Sequence, residues 1–190
     1  MHITTFILVI PLLGIGLWSL SAATWIHSKA AIAQLLLERA WDTKIGDDIE
    51  GATRPWPWAD TEPIARVIVP RLGIDQIILS NASGRSLAFG PAHLNGTASP
   101  GSPGHSIVSG HRDTHFSFLR HLKLGDTLEI VRVDRQKVPY RVIARTIIDS
   151  RTALLGDSLG RTVASLVTCY PFDALTSNGP LRYVVTAEAI

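Results

Sequence analysis

Apolar and polar positions divide the chain into two regimes. From Ile3 to Ile26 it is uncharged and almost wholly apolar (FILVIPLLGIGLW, then SLSAATWI). About two dozen such residues make a helix of roughly 36 Å, enough to cross a hydrocarbon core of about 30 Å. Pro11, Gly14 and Gly16 are tolerated in such a span, and Trp18 and Trp25 suit its interfaces. Residues 1–27 are therefore predicted to be a transmembrane anchor. Ser21-Ala22-Ala23 resembles a signal-peptide cleavage site. The apolar run exceeds the roughly 7–15 residues of such a signal, however, so an uncleaved anchor is expected.

From Lys29 to Trp41, Ala31, Ile32, Leu35, Leu36, Leu37 and Ala40 recur at helical spacing among Gln34, Glu38 and Arg39. From Gly46, Pro55, Pro57 and Pro63 break regular structure. Residues 28–61 thus read as a juxtamembrane helix followed by a Pro/Trp linker. Trp56 and Trp58 are unusual in a pure linker, and at least one is predicted to dock on the following domain, with contact at the membrane interface as the alternative.

Beyond Pro63 the period shortens. Ala65 to Val69 and Ile74 to Leu79 flank Pro70-Arg71-Leu72-Gly73, a hairpin-like pair. Ser83 to Phe89 fits a turn or two of helix ending at Gly90-Pro91, and Gly96 to Gly104 is loop. His105 to His111 is a strand. Thr114 to Leu124 is a short helix with Phe116, Leu119 and Leu122 near one face. Thr127 to Val133, Val138 to Ile148, Val163 to Cys169 and Leu181 to Ala187 complete the strands. Strands dominate at short spacing, so residues 62–190 are predicted to be all-β, a closed or nearly closed barrel.

Charge changes this picture in one place. A net charge of +2, with no basic run interleaved with aromatics, argues against nucleic acid. All 18 Lys and Arg and all 16 Asp and Glu fall after Ser28. Met1-His2 carries no Lys or Arg, whereas Lys29, Arg39 and Lys44 follow the span, so charge counting alone would place the barrel in the cytoplasm. No acidic cluster in the domain predicts a site with several oxygen ligands, and no metal is expected.

The single cysteine, Cys169, ends the strand Leu166-Val167-Thr168, and Pro171 stops the ladder just beyond it. A cysteine there is often only a small buried hydrophobe. A nucleophile needs a proton-transfer partner and donors for the developing oxyanion. The seven histidines are His2, His27, His93, His105, His111, His115 and His121. His105 and His111 share strand parity but lie roughly 20 Å apart, so only one can reach the thiol. His111 follows Gly110 into the loop Arg112-Asp113-Thr114, a strand-end position like that of Cys169. His115 and His121 read as surface or boundary residues. Arg182 starts the last strand, soon after Cys169, and neighbouring strands lie about 4.8 Å apart. Its permanently charged guanidinium suits a carbonyl or oxyanion, and also an ordinary surface ion pair.

Ser109-Gly110-His111-Arg112-Asp113, Leu166-Val167-Thr168-Cys169 and Pro180-Leu181-Arg182 resemble, in order and spacing, the histidine, cysteine and arginine motifs of the sortases. Phe116-x-x-Leu119-x-x-Leu122 followed by Gly125-Asp126 is also similar to that family. The fuller runs SGHRDTHF and LVTCYPFDA look most like the sortase type of Gram-negative proteobacteria. One departure is Leu166, where many sortases carry threonine. The resemblance implies a barrel of about eight strands with short helices, and a cysteine transpeptidase at the membrane surface. It implies that Cys169 attacks the Thr–Gly carbonyl of an LPXTG-like sorting signal near the C-terminus of a secreted protein. His111 would then move protons to and from the amines, and Arg182 would hold the oxyanion. An amine acceptor resolves the thioacyl enzyme, and no cofactor is needed. It places the catalytic domain on the periplasmic side of the inner membrane, against the charge count, because such substrates arrive by secretion. One cysteine cannot form an internal disulfide, which that compartment permits. Two alternatives stand beside it. One is another envelope cysteine hydrolase or L,D-transpeptidase, and the other a membrane-anchored β-domain that only binds.

Overall fold

Alternating side chains give β1 (Pro63–Val69) two unlike faces, with every second residue of PIARVIV buried. Proline is tolerated at its first position, where no ladder N–H is required. In this computed structural model, which describes residues 31–45, 53–153, 156, 160–174 and 179–190, seven further strands complete the set. They are β2 (Ile74–Leu79), β3 (Ala92–His93), β4 (Gly104–Ser109), β5 (Thr127–Arg132), β6 (Lys137–Asp149), β7 (Thr162–Cys169) and β8 (Leu181–Ala189). They close into one barrel in the order β1-β2-β3-β4-β7-β8-β6-β5. The β2–β3 and β4–β7 pairs are parallel and the others antiparallel. The expected barrel is present, and three short 3-10 helices at 70–72, 86–88 and 117–121 are its helical trim.

The interior is filled from every strand but β3. Val67 and Val69 of β1, Ile78 of β2, Val108 of β4, Leu128 and Ile130 of β5, Tyr140 of β6, Leu166 of β7 and Val185 of β8 form one buried cluster. Phe116, Phe118, Leu119 and Leu122, from the β4–β5 connection, join it. That connection was expected to be a helix over 114–124. It is instead turns plus the 3-10 segment Ser117–His121, because four apolar side chains on so short a stretch must all reach the barrel at once. Tyr140 is fully buried, and burial pushes its hydroxyl up to about 12.

A helix covers residues 31–45. The chain separates into two units, Met1–Leu36 and Leu37–Ile190. Within the second, Leu37 and Trp41 pack with Ile77, Leu79 and Ala92, the outward-facing residues of β2 and β3. Glu38 accepts from Arg66 of β1 at 2.8 Å, and Lys44 pairs with Glu62 at 2.7 Å. Trp56 docks edge-on against Phe89, with centroids 4.9 Å apart, whereas Trp58 is 83% exposed. The predicted anchor over 1–27 lies outside the described residues, and no helix among the described residues is long and apolar enough to cross a membrane.

Candidate active site

Two ladders bring three strand ends together. In the parallel β4–β7 pair, Ser109 is opposite Val167. One residue further, the Gly110 N–H donates to Val167 O at 3.1 Å. The Thr168 hydroxyl then donates to Gly110 O at 2.7 Å, a fully buried bond. His111, two residues past the end of β4, and Cys169, the last residue of β7, come next. In the antiparallel β7–β8 pair, Cys169 is opposite Arg182. Since Ala164 and Leu166 point into the core, the alternate residues Val167 and Cys169 face outward, with Arg182 opposite. His111, Cys169 and Arg182 thus occupy the same end of three adjacent strands. His111 is exposed, and Cys169 and Arg182 are half-buried.

Local chemistry fixes each of them. An added Cβ on Gly110 would meet the Phe116 ring at 2.7 Å, so the glycine before His111 is what lets this ring seal the barrel end. The His111 carbonyl accepts from the Phe116 N–H at 2.9 Å, which turns the chain after the imidazole. Arg182 donates through Nη1 to Gly179 O at 2.7 Å and Leu181 O at 2.8 Å, aligning the guanidinium along its strand. Asp149 adds a negative charge beside Arg182. Its carboxyl is held down at about 2, first by hydrogen bonds from the Arg151 side chain and backbone.

The other histidines are placed elsewhere or differently. His105 pairs with Val163, six residues before Cys169 on β7. Its Nδ1 donates to Gly156 O at 2.7 Å, so in the neutral ring Nε2, 2.8 Å from Ser165 Oγ, accepts from the hydroxyl. His93 is buried, with Nε2 3.0 Å from Ala98 O. His121 is exposed. His115 is a boundary residue, as expected. It is half-buried beside His111, and its ring bonds the Ala88 backbone. Burial, first, and the neighbouring His111 charge hold it below the ordinary imidazole value.

Several residues around the site were not singled out by sequence reasoning. Arg112, directly after His111, is 5% exposed and donates to Pro171 O at 2.8 Å and Ala174 O at 2.7 Å. Tyr170 stacks on Tyr183, Phe172 meets both rings edge-on, and the Arg120 guanidinium lies 4.7 Å above the Phe172 ring. The available signal was adjacency, since Arg112, Thr168 and Tyr170 each touch a candidate residue in sequence.

A closed eight-stranded barrel with cysteine, histidine and arginine on neighbouring strand ends defines a class of thiol enzyme scaffold. Residues 67–190 match the sortase domain, and the chain belongs to the sortase family, a family of cysteine transpeptidases. Sortase D of Bacillus subtilis (strain 168) is 26% identical over 123 residues, covering 64% of this chain and 61% of that protein. The match therefore spans about three fifths of that relative's length. Among solved structures, a Clostridium perfringens sortase D5 transpeptidase superposes with a TM-score of 0.66 at 22% identity, over 84% of this chain and 99% of its own. The lid mutant of sortase A from Corynebacterium diphtheriae gives 0.62 at 24%, over 84% and 94%. Clostridium perfringens sortase C with the C-terminal cell wall sorting motif gives 0.60 at 18%, over 86% and 90%. At these identities the structural likeness establishes the fold.

Proposed function

We propose that the chain is a membrane-anchored cysteine transpeptidase for a secreted protein bearing an LPXTG-like C-terminal sorting signal. The supporting observation is the shared strand end of His111, Cys169 and Arg182, set by the β4–β7 and β7–β8 registers. In this reading the Cys169 thiol passes its proton to His111 as its sulfur attacks the carbonyl carbon of the Thr–Gly bond. Arg182 donates to the oxygen as it becomes an oxyanion. Collapse of the tetrahedral adduct breaks the C–N bond, and His111 gives its proton to the departing amine. The substrate's acyl group is left on sulfur as a thioester. An incoming amine attacks it, His111 accepts a proton from that amine, and the thiolate leaves.

The runs SGHRDTHF and LVTCYPFDA favour the proteobacterial type. The same proposal sets residues 1–27 as a single span of the inner membrane, 28–61 as the juxtamembrane helix and linker, and 62–190 as a periplasmic catalytic domain. A direct test incubates the purified chain with an LPXTG-like peptide and triglycine. Mass spectrometry should find the peptide, cut after threonine, on Cys169, and then a triglycine-extended product. Cys169→Ala should give neither. Product released only by water would make the protein a hydrolase, and no adduct at Cys169 would sink the reading.

A further inference from the structure

The reaction proposed above needs one imidazole to serve first as acid and then as base at the same sulfur, so the two groups must hold their spacing through both half-reactions. Backbone on the two sides of the site is joined by a buried side chain that the mechanism does not use. Arg112 follows His111 directly, and its side chain is 6% exposed. Nη1 and Nη2 donate to the carbonyls of Pro171 and Ala174, the two ends of the turn that begins two residues after Cys169. The turn closes on itself where the Ala174 N–H meets Pro171 O at 3.4 Å. Nε faces Asp113 at 3.4 Å, whose carboxylate is mostly exposed.

Burying a guanidinium is unfavourable unless its donors are met by acceptors of fitting geometry. Here the planar fork grips two carbonyls at once, which the single ammonium of lysine cannot do in the same plane. A surface ion pair would satisfy the charge more simply. The burial makes sense if the gain lies in registering one loop against the other.

We infer that Arg112 is a positioning residue, resting on the transpeptidase reading, which ties the turn after Cys169 to the residue after His111 and so sets the thiol–imidazole spacing. Displacement of a reacting group by about 1 Å can cost on the order of a hundredfold in rate. Loosening the clamp should therefore lower turnover without weakening peptide binding.

The full-length chain is assayed with an LPXTG-like peptide and triglycine, and rates are expressed per Cys169 that reacts with a methanethiosulfonate reagent, so that unfolded molecules are discounted. Arg112→Lys should lower kcat by about thirtyfold or more with KM within about twofold, since the loss is confined to the reacting geometry. Methylguanidine should restore part of the turnover of Arg112→Ala. Turnover per reactive thiol equal to that of the parent, with only the melting temperature lowered, would make Arg112 a plain structural residue. A second measurement does not need the peptide. Alkylation of Cys169 by iodoacetamide is compared in a double-mutant cycle of Arg112→Lys and His111→Ala. An Arg112→Lys effect of about fivefold or more that shrinks below about twofold without His111 supports positioning. An equal effect in both backgrounds, including none, overturns it. If the parent transfers no peptide at all, the transpeptidase reading fails, and the cycle alone decides the role of Arg112.

Discussion

Cys169 and Arg182 are cross-strand partners, so the backbone ladder itself sets how close sulfur and guanidinium can lie. Whether Arg182 acts on the substrate or merely starts a strand can be settled by magnitude. Its Nη1 bonds to Gly179 and Leu181 are exposed contacts to its own chain, and a lysine that lost them would cost the fold about 1 kcal/mol or less. Loss of an oxyanion donor costs on the order of 10²–10³ in rate. Arg182→Lys is therefore expected to keep its melting temperature while transfer of an LPXTG-like peptide falls at least about a hundredfold, chiefly in kcat. Turnover within about threefold of the parent would remove Arg182 from the mechanism. The three candidate residues were legible in the sequence because each ends or starts an apolar strand next to a Gly, Pro or loop signal. Arg112 and Thr168 were not. An arginine in a polar loop gives no sign that it will be buried, and the Thr168 hydroxyl finds its acceptor 58 residues away at Gly110, a distance no local pattern spans.

At the scale of elements, the long strands followed from alternation and the small ones did not. β3 is two residues long, too short for any period to register, yet it carries the barrel from β2 to β4. The strand expected to run to His111 stops at Ser109 because the chain turns at Gly110 to admit Phe116. Gly110→Ala should push a methyl into that ring at about 2.7 Å. Such overpacking costs about 1–3 kcal/mol, so a melt should fall by at least about 3 °C. An unchanged melt would mean that the β4–β5 connection yields freely and does not hold His111. The same connection carries His115, and its titration gives a second check. Burial lowers the folded-state value of His115 below the ordinary 6.5. The unfolded chain thus binds the proton more tightly. Stability from this group is complete above pH 6.5 and declines as pH falls from there toward the lower folded value. Melting temperatures followed from pH 7.5 down to 5.5 should therefore fall more for the parent chain than for His115→Gln. Parallel curves would show that the ring is not desolvated.

For the whole molecule, the proposed anchor over 1–27 makes the side of the membrane on which the barrel would work a matter of physical consequence. Lys29 and Arg39 follow the apolar run closely, and Met1-His2 before it has no Lys or Arg. That count favours a cytoplasmic barrel. The rule is strongest for short loops, however, and domains longer than about 60 residues are translocated largely regardless of charge. The region after the span includes the closed barrel, which is far longer than that. The chemistry pulls the other way from the count, because a transpeptidase for secreted proteins must meet them after export. The single thiol is compatible with that side, since it has no partner for an internal disulfide. Alkaline phosphatase fused after Ile190 is therefore expected to be active, because that reporter needs an oxidising compartment to form its own disulfides. A matching β-galactosidase fusion should be inactive. The reverse pair of results would place Cys169 in the cytoplasm, where no exported sorting signal reaches it. Membership of the family would then stand, and the proposed substrate would have to be replaced by a cytoplasmic one.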